Sequence, residues 1–265
     1  MRIVIRLGVV LAGLICMSTF AKAHDLKVLA SKMTLAEGTG KTTVYLSWGH
    51  RLPVDDLVDP ASLERYEWIA PDGTKTEMTK SELSLQSNSC EIKSAGVHQA
   101  VACRKAAIFT YVIGDDGARV MKRGPKSAIT EGKIDTAMRS VQCAKALVVA
   151  GPVKEPVKAL GLPIEITPLD VPSEWASGKN LKFQVMVDGK PLPSAEIVAR
   201  YVGFKPENAW NYATTTNREG IATIRASQAG TWVLKATHKR PAPQAQQKEY
   251  DTDSFIGTLS IELEN

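Results

Sequence analysis

Past its first 20 residues the sequence has no apolar run long enough to cross a bilayer as a helix. It has no basic stripe either. Lys and Arg number 33 against 28 Asp and Glu, and three of those cations fall in the first 23 residues, which leaves +2 for residues 24–265. A balance that close to neutral gives no reason to invoke nucleic acid. Histidine and cysteine are scarce, with four of each. No G-x-S-x-G, no H-E-x-x-H and no glycine-rich phosphate loop occurs, so the familiar hydrolase, zinc-protease and nucleotide signatures are missing. No C-x-x-C spacing supports a cysteine metal site.

What opens the chain is a basic start (Arg2, Arg6), the apolar run "LGVVLAGLICMSTF" and a closing Ala21-Lys22-Ala23. That order predicts a secretory signal peptide over residues 1–23, cut after Ala23. Ile15 is bulkier than lipoprotein processing at Cys16 normally accepts. The expected product is an exported periplasmic protein that begins at His24 and does not span the membrane. In an oxidising compartment Cys90 and Cys103 are the natural disulfide, because they bracket a segment able to form a hairpin. Cys143 is then a lone buried thiol.

Helical periodicity is rare. Short alternating runs recur instead, among them "HDLKVLA", "KTTVYLSWGH", "KAAIFTYVI", "LKFQVMVDG", "GTWVLKATH" and "FIGTLSIELE", with turns such as "PDGT", "GDDG" and "TNREG" between them. The pattern predicts an all-β fold of two β-sandwich domains in tandem, immunoglobulin-like or transthyretin-like, over 24–152 and 160–265. The boundary is "AGPVKEPVKALGLPIEITPLDVP", residues 150–172, with a linker at 153–159. Residues 55–66 and 134–146 admit a helix. The tryptophans Trp48, Trp68, Trp210 and Trp232 and Tyr212 are expected in the cores, although Trp210-Asn211-Tyr212 also suits display at a partner surface.

Strand alternation puts residues i and i+2 on one face. His24 ends the row Leu26, Val28, Ala30. His50 ends the row Val44, Leu46, Trp48, and His238 ends Trp232, Leu234, Ala236. His98, among alanines and beside Arg104, is expected at the solvent face. If the strands flanking "AEGTGK" form an antiparallel hairpin, partner numbers sum to about 74 to 77, and facing Cβ atoms lie roughly 4.5–5.5 Å apart. His24 and His50 then face each other within reach of one metal ion. Cleavage before His24 would add an α-amine with a pKa of about 7.7–8.0 beside an imidazole of about 6.5, a natural chelating pair. With His50 it makes a nitrogen set suited to Ni(II) or Cu(II). Asp25, Asp55 and Asp56 are candidate oxygen ligands or ring-orienting acceptors. A histidine at a strand end is also an ordinary wet surface residue, and the acids after "GHRLP" also suit a solvated turn.

Residues "AHDLKVL", "TVYLSWGHRLPVDDLVDPASLERYEWIAPDG", "CAKALVVAG", "DGKPLPSAEIVARYVGF", "YATTTNREGIATI", "GTWVLKATHKRPA" and "TLSIEL" run in order through most of the chain after residue 23. In them the chain resembles a family of periplasmic nickel-associated proteins found beside nickel and cobalt energy-coupling-factor transporters, often described only as a domain of unknown function. The resemblance implies two β domains that bind or present Ni(II), or Co(II), near an inner-membrane uptake system. His24, His50 and His238 fall on histidines of its pattern. The expected role is non-enzymatic: capture of the ion and its delivery to membrane transporter subunits. The rivals are a copper-dependent N-terminal-histidine monooxygenase-like enzyme and a structural or adhesive sandwich with incidental histidines.

Overall fold

Alternation of apolar and polar side chains, broken every few residues by Gly, Pro, Asn or Asp, gives a chain whose regular structure is nearly all strand. The computed structural model describes residues 24–82, 84–204 and 209–265; the expected signal peptide, with Cys16, lies outside them, as do residues 205–208 just before Trp210. The first half forms β1 (Asp25–Ala30), β2 (Thr34–Leu35), β3 (Gly40–Gly49), β4 (Leu63–Ile69), β5 (Lys75–Glu77), β6 (Ser87–Ile92), β7 (Gly96–Arg104), β8 (Ala107–Ile113), β9 (Arg119–Arg123) and β10 (Lys133–Ala150). The second forms β11 (Ile164–Pro168), β12 (Asn180–Val187), β13 (Lys190–Pro191), β14 (Glu196–Tyr201), β15 (Tyr212–Thr215), β16 (Ile221–Arg225), β17 (Gly230–Pro241) and β18 (Thr252–Leu263). No helix among the described residues is long and apolar enough to cross a membrane.

The halves meet in one sheet of 11 strands, ordered β15-β14-β17-β18-β10-β7-β4-β5, with β2, β8 and β9 attached to it through β10 and β8. Its seam is the parallel pairing of β10 with β18, from Met138 against Thr252 to Ala146 against Ser260. A sheet of β1-β3-β6 lies on one face, and β11-β12-β13 with β16 lies on the other. Each half of the chain therefore supplies one sandwich, and both sandwiches use the middle sheet.

The faces of β10 show how one strand serves two cores. Ala144, Ala146, Val148 and Ala150 pack with Leu26, Val28, Val44 and Leu46 in the first core. Val141 and Leu147 pack with Phe183, Trp232, Phe255 and Leu259 in the second. A strand buried on both faces reads as a continuous apolar run. Residues 134–146, which also suit a helix, are part of an 18-residue strand that is buried on both faces from Ser140 onward. Residues 55–66 contain only a 3-10 turn at Pro60–Ser62, capped by the Asp59 carboxylate, before β4 begins. The proline-rich boundary segment packs beneath the sheet, where Leu160 and Leu162 cover Cys103 and Cys143.

A buried ion pair fixes that segment. Lys145 Nζ lies 2.6 Å from Glu165, and both side chains are almost fully buried. The Glu165 carboxylate also accepts the N–H groups of Leu160, Gly161 and Leu162. Burial pushes its carboxyl up, but the Lys145 charge and these amides outweigh it and hold the group below the ordinary range.

Two expectations fail here. The disulfide joins Cys103 to Cys143 rather than to Cys90. Cys103 and Cys143 oppose each other across β7 and β10, whereas Cys90 is on β6 in the upper sheet, buried against Met78. Sequence spacing favoured the hairpin partner, and sheet register chose the other. His98 is buried, not exposed: it stacks on Trp68 at 5.2 Å, and its Nε2 meets the Ser94 carbonyl at 3.0 Å. Its row turns inward because Ala100 and Ala102 on the same face line the first core.

Two measurements check these contacts. Non-reducing peptide mapping of residues 24–265 should return the Cys103–Cys143 link and one alkylatable thiol, Cys90, reactive only after unfolding, since burial raises its pKa to about 11. Glu165→Ala should lower unfolding free energy by about 3–5 kcal/mol in urea, because it strands the Lys145 ammonium; a loss below ~1 kcal/mol would mean the pair is dispensable.

Candidate metal site at the end of the first hairpin

β1 and β3 pair with Asp25 opposite Gly49 and Ala30 opposite Val44, so partner numbers sum to 74. One step beyond that ladder His24 faces His50, with ring centroids 4.8 Å apart and planes tilted by 49°. His24 is exposed and stacks on Trp48 at 5.6 Å; His50 is half-buried. The row alternation and the hairpin register are therefore both realised.

β1 is an edge strand, and its free backbone groups are met by side chains of the middle sheet. Gln142 accepts from the Leu26 N–H and donates to the His24 carbonyl. The Thr258 and Ser260 hydroxyls donate to the Leu26 and Val28 carbonyls at 2.7 and 2.6 Å. Each such bond is worth about 1 kcal/mol net, and together they fix where the hairpin end sits.

Behind the histidines is a lysine. Lys27 is 0% exposed, and its Nζ donates to the Gly49 carbonyl at 2.5 Å and the Asp25 carbonyl at 3.2 Å. Burial lowers its pKa to about 8, Asp25 opposes that shift, and Arg200 and Lys235 add to it. The Asp25 carboxylate pairs with Lys235 at 2.9 Å. An Arg200 nitrogen donates to the His50 carbonyl at 2.8 Å. The Trp210 ring lies 5.3 Å from the Arg200 guanidinium and 4.9 Å from the Lys235 ammonium. Trp48, half-buried against the first core, and Trp210 are thus partners of cations at this end, whereas Trp68 and Trp232 are buried inside the cores.

The "GHRLPVDD" stretch forms the outer corner. Asp55 Oδ2 accepts the His50 N–H at 2.7 Å and the Arg51 N–H at 3.2 Å. The His50 amide bond, more than any other contact, holds the Asp55 carboxyl below its ordinary value. Gly49 permits this clamp, since its φ is +120° and a Cβ there would lie 2.3 Å from Asp55 Oδ2. Asp25 and Asp55, candidates for an oxygen ligand, are thus engaged elsewhere, and Asp56 accepts the Leu57 N–H.

His238 is not brought to the pair. It follows Trp232, Leu234 and Ala236 on the face of β17 that packs into the second core, while Lys235 on the opposite face reaches Asp25. Its ring packs against Phe255 at 6.1 Å, and burial and then Arg240 lower its pKa. Among the described residues no group of three or more His, Cys, Asp or Glu side chains is arranged to hold a metal ion. The side-chain donors at the hairpin end are the two imidazoles.

Sequence reasoning missed Lys27, Arg200 and Lys235, and gave Trp210 a place in a core or at a partner surface rather than at this corner. Only Lys27 left a trace, as a charged residue amid the apolar "LKVLA" of a strand. Arg200 and Lys235 reach the site from 150 and 210 residues away and leave none.

A family model described as a domain of unknown function (DUF4198) matches residues 21–240. The chain belongs to the DUF4198 family. The match takes in both halves of the fold, with His24, His50 and His238 inside it. No curated protein matches this DUF4198 chain in sequence. Among solved structures, the D0-D1 domain of Intimin is similar at 14% identity, covering 91% of this chain and 98% of its own, with a TM-score of 0.22. A score that low carries no argument.

Burial, then the His24 and Lys27 charges, push the His50 imidazole below its ordinary pKa, while Asp25 and Asp55 pull it up. The folded protein thus disfavours the protonated ring: this contribution to stability is complete above the ordinary imidazole value and is lost as pH falls through the folded one. In an NMR pH titration His50 should titrate below a model imidazole, and Asp55→Asn should lower it further. A value at or above the model, or a rise in Asp55→Asn, would contradict this electrostatic picture.

Proposed function

We propose that the protein is exported to the periplasm and binds a transition-metal ion, Ni(II) or Co(II), as cargo at His24 and His50 for delivery to a membrane uptake transporter. The supporting observation is the ring pair, 4.8 Å apart at the open end of a hairpin. Family membership agrees with the resemblance from which the nickel reading came, though the family description names no metal.

The chemistry of the donors narrows the cargo. Lys27, Arg200 and Lys235 all act on this end of the hairpin. A hard cation such as Mg²⁺ or Ca²⁺ needs free oxygen donors, and here Asp25 is paired with Lys235 while Asp55 accepts the corner amides. A borderline ion held by imidazole nitrogen is bound through the ligand bond and tolerates the field better. Cleavage before His24 adds the α-amine as a third nitrogen, and His50 is already biased towards the neutral, ligating form. Two or three nitrogens on an exposed rim suit capture and release rather than a sealed structural site. His238, on the far face, has no part in this coordination.

Calorimetry on protein that begins at His24 tests the reading. Ni(II) or Co(II) should bind with a dissociation constant of about 100 µM or tighter, near −5.5 kcal/mol. His24→Ala, His50→Ala, or one extra residue before His24 should each weaken it at least about tenfold, ~1.4 kcal/mol; His238→Ala should leave it unchanged. No binding of either ion, or binding indifferent to His24 and His50, would refute the site. Tight binding of Cu(II) alone, with peroxide-dependent oxidation of a polysaccharide, would replace it with the copper-enzyme reading.

A further inference from the structure

β8, β9 and the first half of β10 form a three-stranded arm beyond the part of the middle sheet that the upper sheet covers. Its register sets Phe109 between Arg123 and Met138, and Tyr111 opposite Met121, so these side chains share a face. Met138 points the same way as Gln142, four residues on, whose amide holds the His24 carbonyl. The face therefore continues from the hairpin end, and Met138 lies about 13 Å along the strand from Gln142 at 3.3 Å per residue. Met121 is 54% exposed, and Phe109, Tyr111 and Met138 are half-exposed. Among the described residues β9 pairs with β8 alone and leaves an open strand edge.

Cations on this face outnumber the carboxylates paired with them. Arg119 is neutralised by Asp135 at 2.8 Å. Among the described residues Arg104, Arg123 and Lys133 have no carboxylate within ion-pair distance. Arg104 and Arg123 sit close enough to act on each other: burial, then the Arg123 charge, push Arg104 below its ordinary pKa, and Asp59 opposes them without reversing the shift. The Arg104 guanidinium stacks on Trp48 at 4.0 Å, and Trp48 stacks on His24. A row of His24, Trp48, Arg104 and Arg123 thus leads from the candidate metal site onto the apolar face.

We infer that this face is a docking surface for an acidic protein segment, which exchanges the ion with the His24–His50 pair while seated against Arg104, Arg123 and Lys133. The exchange rests on the metal-cargo reading; the surface stands on its own charge and shape. Aromatic residues, Met and Arg are the types enriched at protein interfaces, and Met adapts its shape to a partner. Carboxylates would relieve the crowding of Arg104 with Arg123, and the β9 edge can accept an extended strand. A lipid surface fits less well. The exposed Val120 and Ile134 share the opposite face with Val112, so no single face offers an apolar wedge.

Protein beginning at His24, labelled with ¹³C at its methionine methyl groups, tests the surface. The probe is a peptide of alternating Glu and Leu; a Lys and Leu peptide and phosphatidylglycerol vesicles serve as comparisons. The acidic peptide should move the Met121 and Met138 signals and leave buried Met33 and Met78 still. A variant carrying Arg123→Glu and Lys133→Glu, both at exposed positions, should weaken that binding at least about tenfold. Its Ni(II) titration should be unchanged, which separates the surface from the metal site. Still Met121 and Met138 signals, equal shifts with the basic peptide, or shifts only with vesicles would overturn the surface. Peptide shifts in a protein that binds no metal would keep the surface and overturn the exchange.

Discussion

The parallel pairing of β10 with β18 is the constraint on which the rest of the structure depends. It joins residues more than 100 positions apart, and it forces both strands to be buried on their two faces. Side chains of β10 alternate between the first core and the second, and β18 does the same with hydroxyls in place of methyl groups on one side. Parallel strands need a long crossover between them. Here that crossover is most of the second half of the chain, folded as the second sandwich. The boundary segment is pinned for the same reason: Glu165 must return beneath β10 to meet Lys145.

The position of the candidate site follows from that seam. Among the described residues β1 has only β3 as a ladder partner, and Gln142, Thr258 and Ser260 from β10 and β18 meet its other edge. A hairpin held by its outer edge is fixed close to its end, so His24 and His50 face each other on a supported corner. The same docking buries Lys27 and brings Lys235 to Asp25 from the other half of the chain. The charges around the histidines are therefore a consequence of joining the sandwiches as much as of local sequence.

The local periodicities were legible. "HDLKVLA" and "KTTVYLSWGH" carried the strand rows, and the turn between them carried the register that places the histidines together. What lay outside the sequence was anything that required knowing which strands neighbour which. Cys103 chose Cys143 because β7 pairs with β10, a fact the spacing of 90, 103 and 143 does not contain. The later part of residues 134–146 hides its strand period because a strand buried on both faces loses its alternation. His238 matched the other histidines as the end of an apolar row, yet its row faces the second core. Period fixes the face of a strand but not which layer covers that face.

The field at the hairpin end also bears on how an ion would leave. A metal held by two or three nitrogens beside Lys27, Arg200 and Lys235 gains little from long-range attraction, so its hold depends on the ligand bonds themselves. A carboxylate-bearing partner would change that balance, because its oxygens are free to ligate where Asp25 and Asp55 are already engaged. Such a partner is drawn first to the uncompensated cations at Arg104 and Arg123, and the stack through Trp48 puts it beside His24. Once there, its oxygens compete for an ion that the protein's own carboxylates, tied up by Lys235 and by the corner amides, cannot hold. On the metal-cargo reading, an exposed imidazole pair whose neighbouring carboxylates are already engaged would give its ion away to an acidic neighbour.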